Sequence, residues 1–185
     1  MQVPDVLALS DIDDVFVVRP DSYGDDRGRF VETYRRSWLP LGREMVQQNR
    51  SERQRGAVVG LHYHLHQADY WYVARGRARV VLHDLRLGSR SDGATAIIDV
   101  GEGDERGIFI PPGVGHGFAA LSDLTLMYLV DSYYNPDDEL GVAFDDPDLG
   151  IDWGVEVPVV SERDRRSPRR KDLAPELLPR VRLRT

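Results

Sequence analysis

Residues 56–76 read GAVVGLHYHLHQADYWYVARG, two apolar runs at 57–59 and 70–73 around a polar centre. After Gly56 come five residues and His62, then one residue and His64, then four residues and Asp69, with Gly76 closing the segment. On a strand, alternate side chains share a face, so His62 and His64 are expected to point the same way. Farther along, Pro111-Pro112-Gly113-Val114-Gly115-His116 sets another histidine beside a tight turn. His62, His64, His116 and Asp69 together make a donor set that can close around a divalent metal ion.

Short strand signals extend on both sides of this stretch. Segments 15–18, 29–34, 46–49, 57–59, 70–73, 79–82, 96–100, 107–110 and 124–130 alternate in polarity or are rich in β-branched and aromatic residues. Arg75-Gly76, Asp92-Gly93, Gly101-Glu102-Gly103 and Pro112-Gly113 separate them with turn chemistry. Many short strands with little helical periodicity predict an all-β fold, specifically an antiparallel jelly-roll barrel. The expected layout is one domain over residues 1–185, with N-terminal strands in 1–44, a barrel core over 45–134 and a tail over 135–185. A short helix is expected in the tail near Pro175 to Leu178. Ile151, Trp153, Val157, Val159 and Val160 predict that the tail packs along the barrel.

Composition narrows the function. The 185 residues are 41% hydrophobic and 30% charged, ordinary values for a soluble domain. The absence of cysteine excludes disulfides, thiolate catalysis and cysteine-based zinc sites. A net charge of −7 argues against general nucleic-acid binding, and no apolar run is long enough to span a membrane. A cytoplasmic location is the expectation. The basic run from Arg163 to Lys171 reads as a solvated segment. Lys171 is the only lysine, so a mechanism that needs a lysine must use it or do without.

Several pieces, in order, resemble the cupin-fold dTDP-4-dehydrorhamnose 3,5-epimerases, from Val18 to Pro168. They are Asp25-Asp26-Arg27-Gly28-Arg29-Phe30-Val31-Glu32, Gln47-Gln48-Asn49, Gly60-Leu61-His62-Tyr63 and the stretch from Ile110 to Phe118. Met127-Tyr128, Tyr133-Tyr134-Asn135-Pro136, Asp145-Asp146-Pro147-Asp148, Ile151-Asp152-Trp153 and Ser161-Glu162-Arg163-Asp164 follow. The resemblance implies an isomerase that moves protons beside the C4 ketone of a nucleotide-linked 4-keto-6-deoxy sugar. His62 would be the general base, held by Asp164, and Tyr128 the general acid on the opposite face of the ring. A C–H next to a ketone is acidic enough for an imidazole whose basicity a carboxylate raises. Arg27 would meet the diphosphate, Glu32, Gln47 and Asn49 the nucleotide, and His116 the sugar, with Tyr134 completing the substrate-binding set. The resemblance further implies a homodimer that exchanges N-terminal strands, and no required cofactor.

Two positions depart from the family pattern. Val59 stands where the family usually has a phosphate-binding arginine, and Asp69 where it has the lysine that stabilises the enolate. A carboxylate about 4 Å from a developing enolate repels it by about 1–4 kcal/mol in polar surroundings. His64 replaces a glutamine or small residue and offers a compensation, because a divalent ion at His62, His64, Asp69 and His116 would restore positive charge. Two other readings therefore stand beside the epimerase: a metal-dependent cupin enzyme on another substrate, and a sugar-nucleotide binder without turnover.

Each residue also has a plainer reading. Asp69 could pair with Arg27 or Arg75. His66 is expected at the surface, and His83 as a structural residue. Tyr128 could be core, and Tyr70, Trp71 and Tyr72 read first as barrel packing.

Overall fold

The structure, a computed structural model, describes residues 4–39 and 43–181. Its strands are β1 (Asp5–Ala8), β2 (Phe16–Arg19), β3 (Ser22–Asp25), β4 (Gly28–Val31), β5 (Gln47–Arg53), β6 (Ala57–Tyr63) and β7 (Asp69–Arg75). Then come β8 (Arg77–Asp84), β9 (Thr95–Gly101), β10 (Gly107–Ile110), β11 (Val114–Ala120), β12 (Leu124–Val130), β13 (Leu140–Gly141) and β14 (Val159–Val160). The one α-helix among the described residues, α1, spans Glu162–Arg165. No helix there is long and apolar enough to cross a membrane.

Two sheets face each other, one in the order β1-β2-β10-β7-β12-β5 and the other in the order β13-β6-β11-β8-β9. All pairings are antiparallel except that of β14, which lies parallel to β6. The β3–β4 hairpin forms a two-stranded sheet of its own. Between the sheets, Trp71, Val73, Ile108, Ile110, Leu124 and Leu126 meet Val80, Leu82, Ile98, Val114 and Phe118. Each such side chain contributes about 1.5–3 kcal/mol by leaving water. Both outer faces are covered as well. Tyr70, Tyr72 and Phe109 pack under Trp38 and Leu39, while Val58, Leu61, Tyr63, Val81 and Ala119 pack under Trp153, Leu149 and Leu173 of the tail. Because both faces are buried, β7 reads as an unbroken apolar run rather than an alternating one.

The jelly-roll expectation holds, with differences at particular elements. β11 lay hidden inside what read as a turn motif. Its sequence VGHGFAA lacks alternation because every residue is buried. β4 ends at Val31, short of the expected Tyr34, whose ring packs beside Tyr70 with centroids 5.4 Å apart. The helix expected near Pro175 is a hydrogen-bonded turn, Leu177 N–H to Ala174 O at 2.9 Å. Pro179 has no N–H to give to the Pro175 carbonyl, so the turn is not extended, and the Leu177 and Pro179 carbonyls instead accept from the Tyr63 hydroxyl at 3.0 Å and from Leu87 N–H. The helical turn forms instead at α1, where Ser161 Oγ caps Asp164 N–H at 3.1 Å.

A register shift between β6 and β11 shapes the interior. His116 pairs with His62 and Phe118 with Val59, so two steps on β11 oppose three on β6. This bulge brings Val59 and His62 onto one inward face. The strands approach closely there: a Cβ on Gly60, whose φ is +113°, would lie 2.7 Å from Gly117 Cα.

Candidate active site

The first sheet supplies two inward rows. Asn49, Tyr128 and Trp71 are cross-strand neighbours on β5, β12 and β7, and so are Gln47, Val130 and Asp69. Residues directly opposite share a face, and Trp71 and Tyr128 both pack against the interior core. From the second sheet His62 and His116 face inward as a pair. His62 and Tyr128 therefore stand on opposite walls of the barrel.

His62 Nε2 lies 2.7 Å from Asp164 Oδ1. An ionised carboxylate can only accept, so Nε2 carries the proton and Nδ1 keeps the lone pair. Asp164 is fixed in turn, its Oδ2 accepting from Gly60 N–H at 3.3 Å. Burial pushes the Asp164 carboxyl up, but the hydrogen bond and electrostatic pull of His62, with the Gly60 N–H and the Ser161 side chain, outweigh burial and hold it below the usual range. The segment read as solvated thus begins with a helix whose buried Asp164 closes the site.

Tyr128 is half-buried. Burial raises its phenol above the ordinary value, with further raising by the negative charges of Asp69 and Glu139 and some lowering by Arg53. It is therefore protonated at neutral pH and able to donate.

A second group lies beside this pair. His64, Asp69 and His116 are all buried, and one donor atom of each lies within 4.8 Å of the others. His64 Nε2 is 3.9 Å from Asp69 Oδ1, and His116 Nε2 is 4.0 Å from Asp69 Oδ2. His62 is not among these three, and its Nε2 faces Asp164. Asp69 is held by Trp71 Nε1–H at 3.0 Å and the Gln67 amide at 2.9 Å rather than by Arg27 or Arg75. The Trp71 ring stands edge-on to His116, with centroids 5.2 Å apart.

Gln47 and Asn49 lie side by side, Nε2 to Oδ1 at 3.0 Å, and Tyr134 N–H donates to Gln47 Oε1 at 3.3 Å. This gathers three of the residues expected to bind substrate at the β5 edge of the barrel. Arg27 and Glu32 stand apart from them. Arg27 is at the β3–β4 hairpin with its side chain 89% exposed and paired to Asp25. Glu32 follows the hairpin and pairs with Arg35 at 2.7 Å. Lys171 is exposed beside Asp148 at 3.2 Å, so the chain brings no lysine to the site. His66 is exposed, as expected, and His83 is buried against Thr95.

Sequence reasoning missed Asp138, Gln67 and Ser132. The Asp138 carboxylate accepts from the N–H groups of Leu65, His66 and Gln67, and its carbonyl is 2.6 Å from His64 Nδ1. It fixes the loop that carries His64. Asn135-Pro136 just before it was the available signal, a capped turn that delivers Asp138. Gln67 links His64, Asp69 and the Ser132 hydroxyl.

The fold and the site define a cupin-type jelly-roll barrel that sets a carboxylate-held imidazole opposite a phenol. The chain belongs to the dTDP-4-dehydrorhamnose 3,5-epimerase family, whose model matches residues 10–172, and is thus an isomerase, a carbohydrate epimerase. It is 36% identical over 163 residues to the dTDP-4-dehydrorhamnose 3,5-epimerase of Methanothermobacter thermautotrophicus, covering 83% of this chain and 88% of that protein. A Legionella pneumophila dTDP-6-deoxy-D-glucose-3,5-epimerase, solved with dTDP-4-keto-L-rhamnose, superposes with a TM-score of 0.91 at 32% identity, over 97% of this chain and 99% of that one. A 4-keto-6-deoxy sugar epimerase from the novobiocin cluster of Streptomyces spheroides gives 0.89 at 32% identity, over 96% and 93%.

Proposed function

We propose that the chain epimerises a dTDP-4-keto-6-deoxyhexose at a carbon flanking the ketone, with His62 as base, Asp164 as its holder and Tyr128 as acid. The observation that carries this is the placement of the His62–Asp164 pair and Tyr128 on opposite walls. His62 Nδ1 takes the C–H proton while Asp164 stabilises the imidazolium that forms. The electrons move to the C4 oxygen as an enolate, and Tyr128 returns a proton from the other face, inverting the centre. His116 lines the sugar pocket.

The nucleotide lies along Gln47, Asn49 and Tyr134, with Arg27 and Glu32 reaching the site of a second copy of this chain. Support for that exchange is the hairpin itself, which stands off the barrel with Phe30 63% and Tyr23 45% exposed. A metal enzyme that used His62 as a ligand would lose its base, which favours the epimerase reading.

The test is incubation with dTDP-4-keto-6-deoxyglucose in deuterium oxide, followed by NMR. Deuterium should enter C3, C5 or both, and His62→Asn should stop it. Unchanged exchange in His62→Asn would contradict the reading, and binding of the sugar nucleotide with no exchange would mark a binder.

A further inference from the structure

We propose that His64 Nε2, His116 Nε2 and the Asp69 carboxylate bind one divalent transition-metal ion, with Gln67 Oε1 as a fourth donor once its amide turns over. The argument starts from hydrogen bonds behind the group. His64 Nδ1 lies 2.6 Å from the Asp138 carbonyl, and His116 Nδ1 lies 3.0 Å from the Val114 carbonyl. A carbonyl accepts only, so each Nδ1 carries the proton and each Nε2 presents a lone pair. Both lone pairs face the same carboxylate. Among the described residues, the only hydrogen bond of the His116 ring runs to Val114. An imidazole held by a backbone carbonyl behind it is the support that metal-binding histidines require. Two imidazoles and a carboxylate are a donor set for zinc, iron and similar ions.

The spacing fits with small movement. Bonds of about 2.1 Å in a tetrahedral site set donors about 3.4 Å apart. The gaps of 3.9 and 4.0 Å therefore close by roughly half an ångström. Gln67 Nε2 now lies 3.1 Å from His64 Nε2 and 2.9 Å from Asp69, and its Oε1 accepts from Ser132 Oγ at 3.1 Å. Turning the amide aims Oε1 into the group and lets Nε2 donate to Ser132 instead, so no polar atom is stranded. Three protein donors with a fourth that can yield leave room for a substrate oxygen.

The chemical use of the site rests on the epimerase reading. An ion of charge +2 with Asp69 carries a net +1, the charge of the lysine whose place Asp69 holds. It would sit between the two sheets beside His62, whose strand partner His116 is a ligand, and would offset negative charge that develops on the C4 oxygen.

Tag-free protein stripped with a chelator and titrated with Co2+ in visible light, and with Zn2+ in a calorimeter, tests the site. One ion per chain is expected in the wild type and in His62→Asn, with at least a tenfold loss of affinity in His64→Ala and in Asp69→Asn. No stoichiometric uptake by folded wild type, or uptake unchanged in both site variants, would overturn the proposal. Exchange at the keto-sugar separates the two readings. If an ion binds but no solvent deuterium enters the sugar, the epimerase reading fails and the site stands. If the stripped protein takes up no ion yet still exchanges deuterium into the sugar, the site fails and the epimerase stands.

Discussion

Two carboxylates in this barrel do opposite work. Asp164 is exposed to little but His62, Gly60 N–H and its own cap, and it keeps the imidazole in the tautomer that frees Nδ1. Asp164→Asn would hold the ring in geometry but not in charge, so kcat should fall on the order of 10²- to 10⁴-fold with KM little changed. Steady-state kinetics on folded variant check this, and a fall confined to KM would contradict it. Asp69 lies beside Tyr128, whose phenol its charge helps to raise. The short motifs around His62 and Tyr128 made these two residues legible as site candidates, and the fold sets them on facing walls. The binding of Asp69 was not legible, because the Trp71 indole and the Gln67 amide reach it only in the folded loop. An arginine was the obvious partner by composition, yet the indole sits two residues along the same strand face.

At the scale of elements, the site depends on a bulge and a four-residue helix. The β6–β11 shift puts His62 inward, and Gly117 leaves no room for a side chain, since a Cβ there would meet Val59 O at 2.6 Å. Gly117→Ala should destabilise the protein by about 1–3 kcal/mol, read as a lower urea midpoint; an unchanged midpoint would contradict the close approach. Ser161 caps α1 and so positions Asp164. Ser161→Ala should cost about 1 kcal/mol of stability and lower kcat more than it raises KM. Strands with an exposed turn at each end were readable from alternation and glycine. β11 was not, since burial on both faces erases the period that marks a strand.

For the whole molecule, the tail also covers a buried histidine, His83, on the outer face of the second sheet. Burial, with help from the Arg170 charge and against the pull of Asp84, Asp92 and Asp146, lowers His83 from 6.5 to about 4. The unfolded chain takes up that proton below pH 6.5 while the folded chain refuses it until about pH 4, so this contribution is present above 6.5 and lost as pH falls through the window. It amounts to about 3 kcal/mol at most. Urea midpoints at pH 7 and 4.5 should show a smaller acid loss in His83→Gln than in wild type; equal losses would contradict it. The jelly roll was legible because turn residues cut the chain at even intervals, whereas the path of the tail follows from contacts such as Tyr63 with Leu177 that no local pattern announces. The strand exchange proposed above predicts twice the chain mass in sedimentation, and Phe30→Asp should shift the mass toward the monomer. The central claim is a base and an acid on opposite walls, and Tyr128→Phe tests it most directly in deuterium oxide. The account predicts deuterium entering the keto-sugar through His62 while inversion at that carbon falls at least a hundredfold. Inversion at the wild-type rate in Tyr128→Phe would contradict it.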